Sequence, residues 1–117
     1  MMTEAQIPFA AARFKLLGDP VRLSLLASLQ GGEKSVTDLA RATRRSQPNV
    51  SQHLSALSRA GLVEARREGN HVFYRSIDPF VARLCETVCA SITSWLKTDA
   101  KRLAAFAPRP RSARRRV

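Results

Sequence analysis

A chain of 117 residues, 44% of them hydrophobic, suffices for one compact domain with a modest core, which argues against both a multidomain protein and global disorder. Twenty Lys and Arg oppose nine Asp and Glu, a formal +11, so the surface should attract polyanions, nucleic acid first and anionic membrane second. No apolar run is long enough to span a bilayer and the start of the chain has no apolar signal segment, so a cytoplasmic protein without membrane contact is expected.

Residues 1–7 read as a disordered N-terminus. "PFAAARFKLLGDP" predicts a first helix from about Pro8 to Leu17, closed by Gly18 in the left-handed position beyond the helix end. Asp19 then caps a second helix that starts at Pro20, carries Val21, Leu25, Leu26 and Leu29 as its apolar stripe, and ends at Gly31-Gly32. Ser35, with Asp38 three residues on, resembles a capping box and starts a short helix, "VTDLARAT". "RRS" makes a turn, and "SQPNVSQHLSAL" forms the next helix, capped by Ser46, with Pro48 in its first turn and Gly61 as its stop.

After Gly61 the period changes. "LVEARR", "EGN" and "HVFYRSI" are two β-prone runs around a Gly-containing turn, hence a hairpin. Asp78-Pro79 opens a last helix, about 79–104, with Val81, Leu84, Cys85, Val88, Cys89, Ile92, Trp95, Leu96 and Leu103 at helical spacing. The tail "APRPRSARRRV", 107–117, is read as disordered and basic, free to touch a DNA backbone or only to be solvated. Removing its five Arg charges from +11 leaves +6, so the folded part is basic in its own right. The fold class is mostly α with a small β-hairpin, in the order α-α-α-α-β-β-α.

The fourth helix carries the functional signal. At 100° per residue, Val50, Leu54 and Leu57 fall within about 60° of one another and form a buried face. Opposite them lie Pro48, Ser51, Gln52, Ser55 and Arg59, short hydrogen-bonders with one Arg rather than the Glu/Lys mix of a solvated helix. Such groups suit base edges in a major groove, and helix 36–43 before the tight turn completes a helix-turn-helix. The hairpin carries Arg66, Arg67, Arg75 and, near its tip, His71, as expected of a wing that grips phosphates or the minor groove. Ser46, Gln47, Asn49, Ser51, Gln52, His53 and Ser55 are expected to meet bases and nearby phosphates, and Arg44, Arg45, Arg66, Arg67 and Arg75 to hold the backbone. A rival class is a nonspecific basic nucleic-acid-binding protein; no catalytic constellation is present, so an enzyme is not expected.

"FKLLGDPVRLSLLASL" followed by "VTDLARATRRSQPNVSQHLSALSRAGLVEARREGNHVFYRSID" resembles the ArsR/SmtB family of winged-helix repressors over roughly residues 9–96. The resemblance implies a homodimer built from the first and last helices, bound to an imperfect palindrome in double-stranded DNA and released by an inducer. The family's thiolate site would fall on Ser35-Val36-Thr37-Asp38-Leu39, where both thiols are missing. Its last-helix zinc site would fall on Asp78, Phe80, Ser91 and Ser94, where one ligand survives. His53 matches a position where the family often has His whatever its inducer, and is read as structural or backbone-contacting.

There remain Cys85 and Cys89, i and i+4 on the last helix. As thiolates they could hold As(III) or another soft metal ion, with further ligands from a second copy. They could instead switch by oxidation or reactive sulfur, or serve only as small buried hydrophobes in the apolar stripe.

Overall fold

The computed structural model describes residues 1–98 together with 101, 104, 105, 107 and 108. The sequence-expected Leu103 of the last helix, and the arginines of the tail, lie outside the described residues. Among the described residues five helices and three short strands follow one another: α1 (Ile7–Leu17), α2 (Pro20–Leu29), β1 (Lys34–Ser35), α3 (Val36–Thr43), α4 (Gln47–Arg59), β2 (Val63–Glu68), β3 (His71–Ser76) and α5 (Pro79–Thr98). The strands form an antiparallel sheet in the order β1-β3-β2. None of the described helices is long and apolar enough to cross a membrane.

The expected order holds, with one addition. The two-residue strand β1 pairs Lys34 with Tyr74 and Ser35 with Phe73, so the wing is a three-stranded sheet rather than a free hairpin. Ahead of α1, where the sequence reads as disordered, Thr3 and Gln6 bridge each other through 3.0 and 3.3 Å hydrogen bonds. Gly18 differs from expectation. It closes α1 at φ −77°, outside the left-handed region, and its N–H reaches the Phe14 and Lys15 carbonyls. A Cβ there would stand 3.2 Å from the Phe14 carbonyl oxygen, so glycine suits the close approach rather than the dihedral.

The caps lie where the sequence puts them. Asp19 accepts from Arg22 N at 3.0 Å, Ser35 Oγ from Asp38 N at 3.0 Å, and Ser46 Oγ from Asn49 N at 3.2 Å. Each satisfies an N–H that has no partner inside its own helix, a contribution of about 1 kcal/mol. The chain divides into two compact units, residues 1–82 and 83–117. In the first, Leu25, Leu39, Leu54, Leu57 and Leu62 are fully buried and join α2, α3 and α4 into the helix-turn-helix core. Arg13 on α1 pairs with Asp78 at 3.1 Å, while Asp78 also caps the start of α5 by accepting from Phe80 N and Val81 N. In the second unit, α5 exposes Val88, Ile92, Trp95 and Leu96.

Candidate nucleic-acid interface

Ser46 caps α4 and Pro48 occupies its first turn, where the missing N–H removes nothing the helix would use. Val50, Leu54 and Leu57 are buried completely, which turns the opposite face to solvent. There Pro48, Gln52 and Arg59 are exposed and Ser51 and Ser55 half-buried. The Gln52 side chain makes no hydrogen bond among the described residues, so its amide is available to both a donor and an acceptor.

Three polar residues expected on that surface are otherwise engaged. Gln47 donates to Thr37 Oγ1 at 3.3 Å, tying the start of α4 to α3. Asn49 is half-buried, and its Oδ1 is buried without a hydrogen-bond partner among the described residues. His53 is half-buried within electrostatic reach of Asp19. Burial alone would raise the Asp19 carboxyl. The Arg22 N–H, the charges of His53 and Arg22, and the Val21 N–H outweigh it and hold the group below its ordinary 3.8.

The cations separate into two kinds. In the register of β2 with β3, Glu64 pairs with Arg75, Arg66 with Phe73 and Glu68 with His71. Strand alternation therefore puts these six side chains on one face and Val63, Ala65 and Arg67 on the other. On the first face, Arg66 holds Glu33 through a 2.6 Å bond with two longer ones at 3.2 Å. It also donates to Glu68 at 2.8 Å and lies 4.7 Å above the Phe73 ring. The Arg66 hydrogen bond holds the Glu33 carboxyl below its usual range, and the bonds to Glu33 and Glu68 push the Arg66 guanidinium further up. Arg75 is paired with Glu64, and His71 leans on Phe73 at 6.4 Å between ring centroids.

Arg66 and Arg75, grouped with Arg67 in the sequence reading, are therefore neutralised by carboxylates in this structure. Arg44, Arg45 and Arg67 make no side-chain ion pair or hydrogen bond among the described residues. Glu33 and Thr37 escaped sequence reasoning. A two-residue strand has no periodicity to betray it, so nothing marked Glu33 as a neighbour of the wing. The Glu64–Arg75 pair did leave a signal. A two-residue turn at Gly69-Asn70 sets the hairpin register and places opposite charges face to face.

On α5, Cys85 is half-buried and Cys89 exposed, both as free thiols. Burial, and then the neighbouring Cys89, push the Cys85 thiol up, away from the thiolate that reacts or ligates. No group of three His, Cys, Asp or Glu able to hold a metal ion occurs among the described residues. Among the described residues the pair offers two thiols and no third ligand.

Residues 19–65 match the family described as "Bacterial regulatory protein, arsR family". Over 103 residues the chain is 37% identical to the arsenic resistance transcriptional regulator ArsR1 of Pseudomonas putida, covering 85% of this chain and 80% of the relative. It is also similar to the antimony-specific transcriptional repressor AntR, at 34% identity and a TM-score of 0.75, over 83% of this chain and 88% of that one. A third likeness is the homodimeric winged helix-turn-helix DNA-binding domain of a possible ArsR-family regulator from Mycobacterium bovis. There the identity is 36% and the TM-score 0.70, over 83% of this chain and 93% of that one. With a helix-turn-helix whose second helix presents open hydrogen-bonding groups, a sheet-anchored wing and these relatives, the chain belongs to the ArsR family of winged helix-turn-helix transcriptional repressors.

Proposed function

We propose that this repressor acts as a homodimer on an imperfect palindrome in double-stranded DNA and leaves it when a thiol-reactive inducer engages Cys85 and Cys89. The observation that carries the DNA reading is the outward face of α4, where Gln52 stands exposed with both hydrogen-bonding ends unused. An amide suits the N6 and N7 edge of adenine, and the half-buried Ser51 and Ser55 suit several base edges. Around them Arg44, Arg45 and Arg67 supply cations that no carboxylate has claimed, fit to hold phosphates. Ser46, Gln47, Asn49 and His53 set the entry and seating of α4. Arg66 and Arg75 brace the wing, and His71 lies exposed beside its tip.

Dimerisation through the first and last helices is supported separately in each unit. Ile7 and Phe14 are exposed seven residues apart on α1, and Val88, Ile92 and Trp95 make an exposed apolar line on α5. Apolar side chains so arrayed suit a partner surface.

As(III) or a soft divalent metal is the inducer class that two thiols one helical turn apart can hold, with the remaining ligands from a second copy of the chain. Burial and the neighbouring Cys89 push the Cys85 thiol up, so ligation and oxidation alike must first remove its proton.

The test is fluorescence anisotropy of a duplex from the upstream region, at physiological salt, with reduced protein. The expected preference for operator over random duplex is about 10³ or more; equal affinity would mean a nonspecific coating protein. Arsenite, cadmium, zinc and a persulfide donor are then added to the parent and to a Cys85→Ser/Cys89→Ser double variant. Release of the parent alone by arsenite or cadmium is expected. If neither protein responds to any agent, the thiols only pack and the inducer part of the proposal falls.

A further inference from the structure

Four described residues have a positive φ, and three of them are Gly32, Gly61 and Gly69. The fourth is Arg44, at φ 55° and ψ 41°. It sits in the turn that joins α3 to the recognition helix. Its N–H donates to the Arg41 carbonyl at 3.3 Å and that of Arg45 to the Ala40 carbonyl at 3.0 Å. These two bonds define a Schellman motif, whose left-handed position glycine fills most readily and asparagine next, because any other Cβ crowds the backbone there. Among the described residues every other positive-φ position is glycine, and this one is arginine.

Nothing inside the described fold explains the choice. The Arg44 side chain is exposed and makes no hydrogen bond, ion pair or ring contact among the described residues. A strained conformation held by a side chain idle within its own chain points to a partner outside it. The turn is the segment immediately before the Ser46 cap of α4, so a guanidinium there flanks the DNA-facing helix.

We propose that Arg44 is kept in this left-handed position, at the expense of fold stability, because its guanidinium clamps one DNA phosphate beside the recognition helix. The inference rests on the DNA-binding reading above and adds to it that this contact is sequence-independent and opposed to stability. A planar fork of donors suits two phosphate oxygens at once, which a lysine ammonium matches only as a point charge.

The experiment compares the parent with Arg44→Gly, Arg44→Asn and Arg44→Lys, measuring Tm and the salt dependence of binding to operator and to an unrelated duplex. Glycine and asparagine should leave Tm unchanged or raise it, by up to about 4 °C. Both should weaken binding about fivefold on either duplex at physiological salt and lower the slope of log affinity against log salt by about two, one for each protomer of the dimer. Lysine should restore the slope and part of the affinity. Unchanged affinity and slope in the glycine and asparagine variants would overturn the proposal. So would a fall in Tm with the slope intact, which would make Arg44 a structural residue, or a loss confined to the operator, which would make it a base reader. A parent that fails to prefer its operator would sink the repressor reading instead. The slope comparison on the unrelated duplex would still decide the role of Arg44.

Discussion

The recognition helix and the wing carry similar numbers of polar side chains and use them in opposite ways. On α4 the outward groups are, Arg59 apart, neutral and open: the Gln52 side chain is exposed and unbonded among the described residues. On the outer face of the wing the groups are charged and already spent on one another, Arg66 on Glu33 and Glu68, Arg75 on Glu64. A positive residue count is thus a poor guide to where DNA is gripped. What matters is which cations remain once neighbouring carboxylates have taken their share. By that measure the cations left unpaired among the described residues include Arg44 and Arg45 in the turn before α4, Arg59 on the outward face of α4 and Arg67 on the opposite face of the wing.

This contrast can be broken most sharply at Gln52. Gln52→Ala should weaken operator binding by about 1–3 kcal/mol and leave random DNA nearly untouched. Equal loss on both would remove α4 from base reading. Within the wing, Arg67→Ala should weaken binding to every sequence and reduce the salt slope by about one per protomer, while Arg66→Ala leaves that slope where it was. If Arg66 lowered the slope and Arg67 did not, the division between captured and available cations would be reversed.

The smallest effect concerns the acid limb of stability, where α4 meets α2. Because the Asp19 carboxyl is held below 3.8 in the folded chain, the unfolded chain takes up its proton first as pH falls. Its stabilisation is present above the ordinary value and disappears as pH drops through the lowered one. Asp19→Asn keeps a capping side chain without the charge, so a plot of Tm against pH should lose part of its acid slope. Parallel acid limbs in parent and variant would show that the charge does not matter.

Most of the architecture was legible in the sequence because strong local signals recur. Asp19-Pro20, Ser35 and Ser46-x-Pro48 start helices for reasons confined to one turn of chain, and Val50, Leu54 and Leu57 declare a buried face by spacing alone. The open face of α4 was legible for the same reason, being the complement of the buried one. Contacts between distant segments were not. The Arg66–Glu33 pair spans 33 residues and rests on a strand too short to show a period. The inward turn of the Asn49 carbonyl, the Gln47–Thr37 bond and the approach of His53 to Asp19 depend on how α4 packs on its neighbours. Arg44 was read correctly as a basic residue of the turn, but a backbone dihedral cannot be seen in a residue type that ordinarily avoids it.

Strand β1 has a mechanical consequence. Ser35 is at once the sheet partner of Phe73 in the wing and the cap of α3, its hydroxyl holding Asp38 N. One residue thus serves as the rivet between two lever arms, and neither can swing without dragging the other. A protomer built this way has little slack with which to follow a distorted groove. Misfit must be absorbed by the DNA or by the spacing between two copies. Such a dimer should tolerate spacers added between half-sites only in whole helical turns, about 10 base pairs at a time.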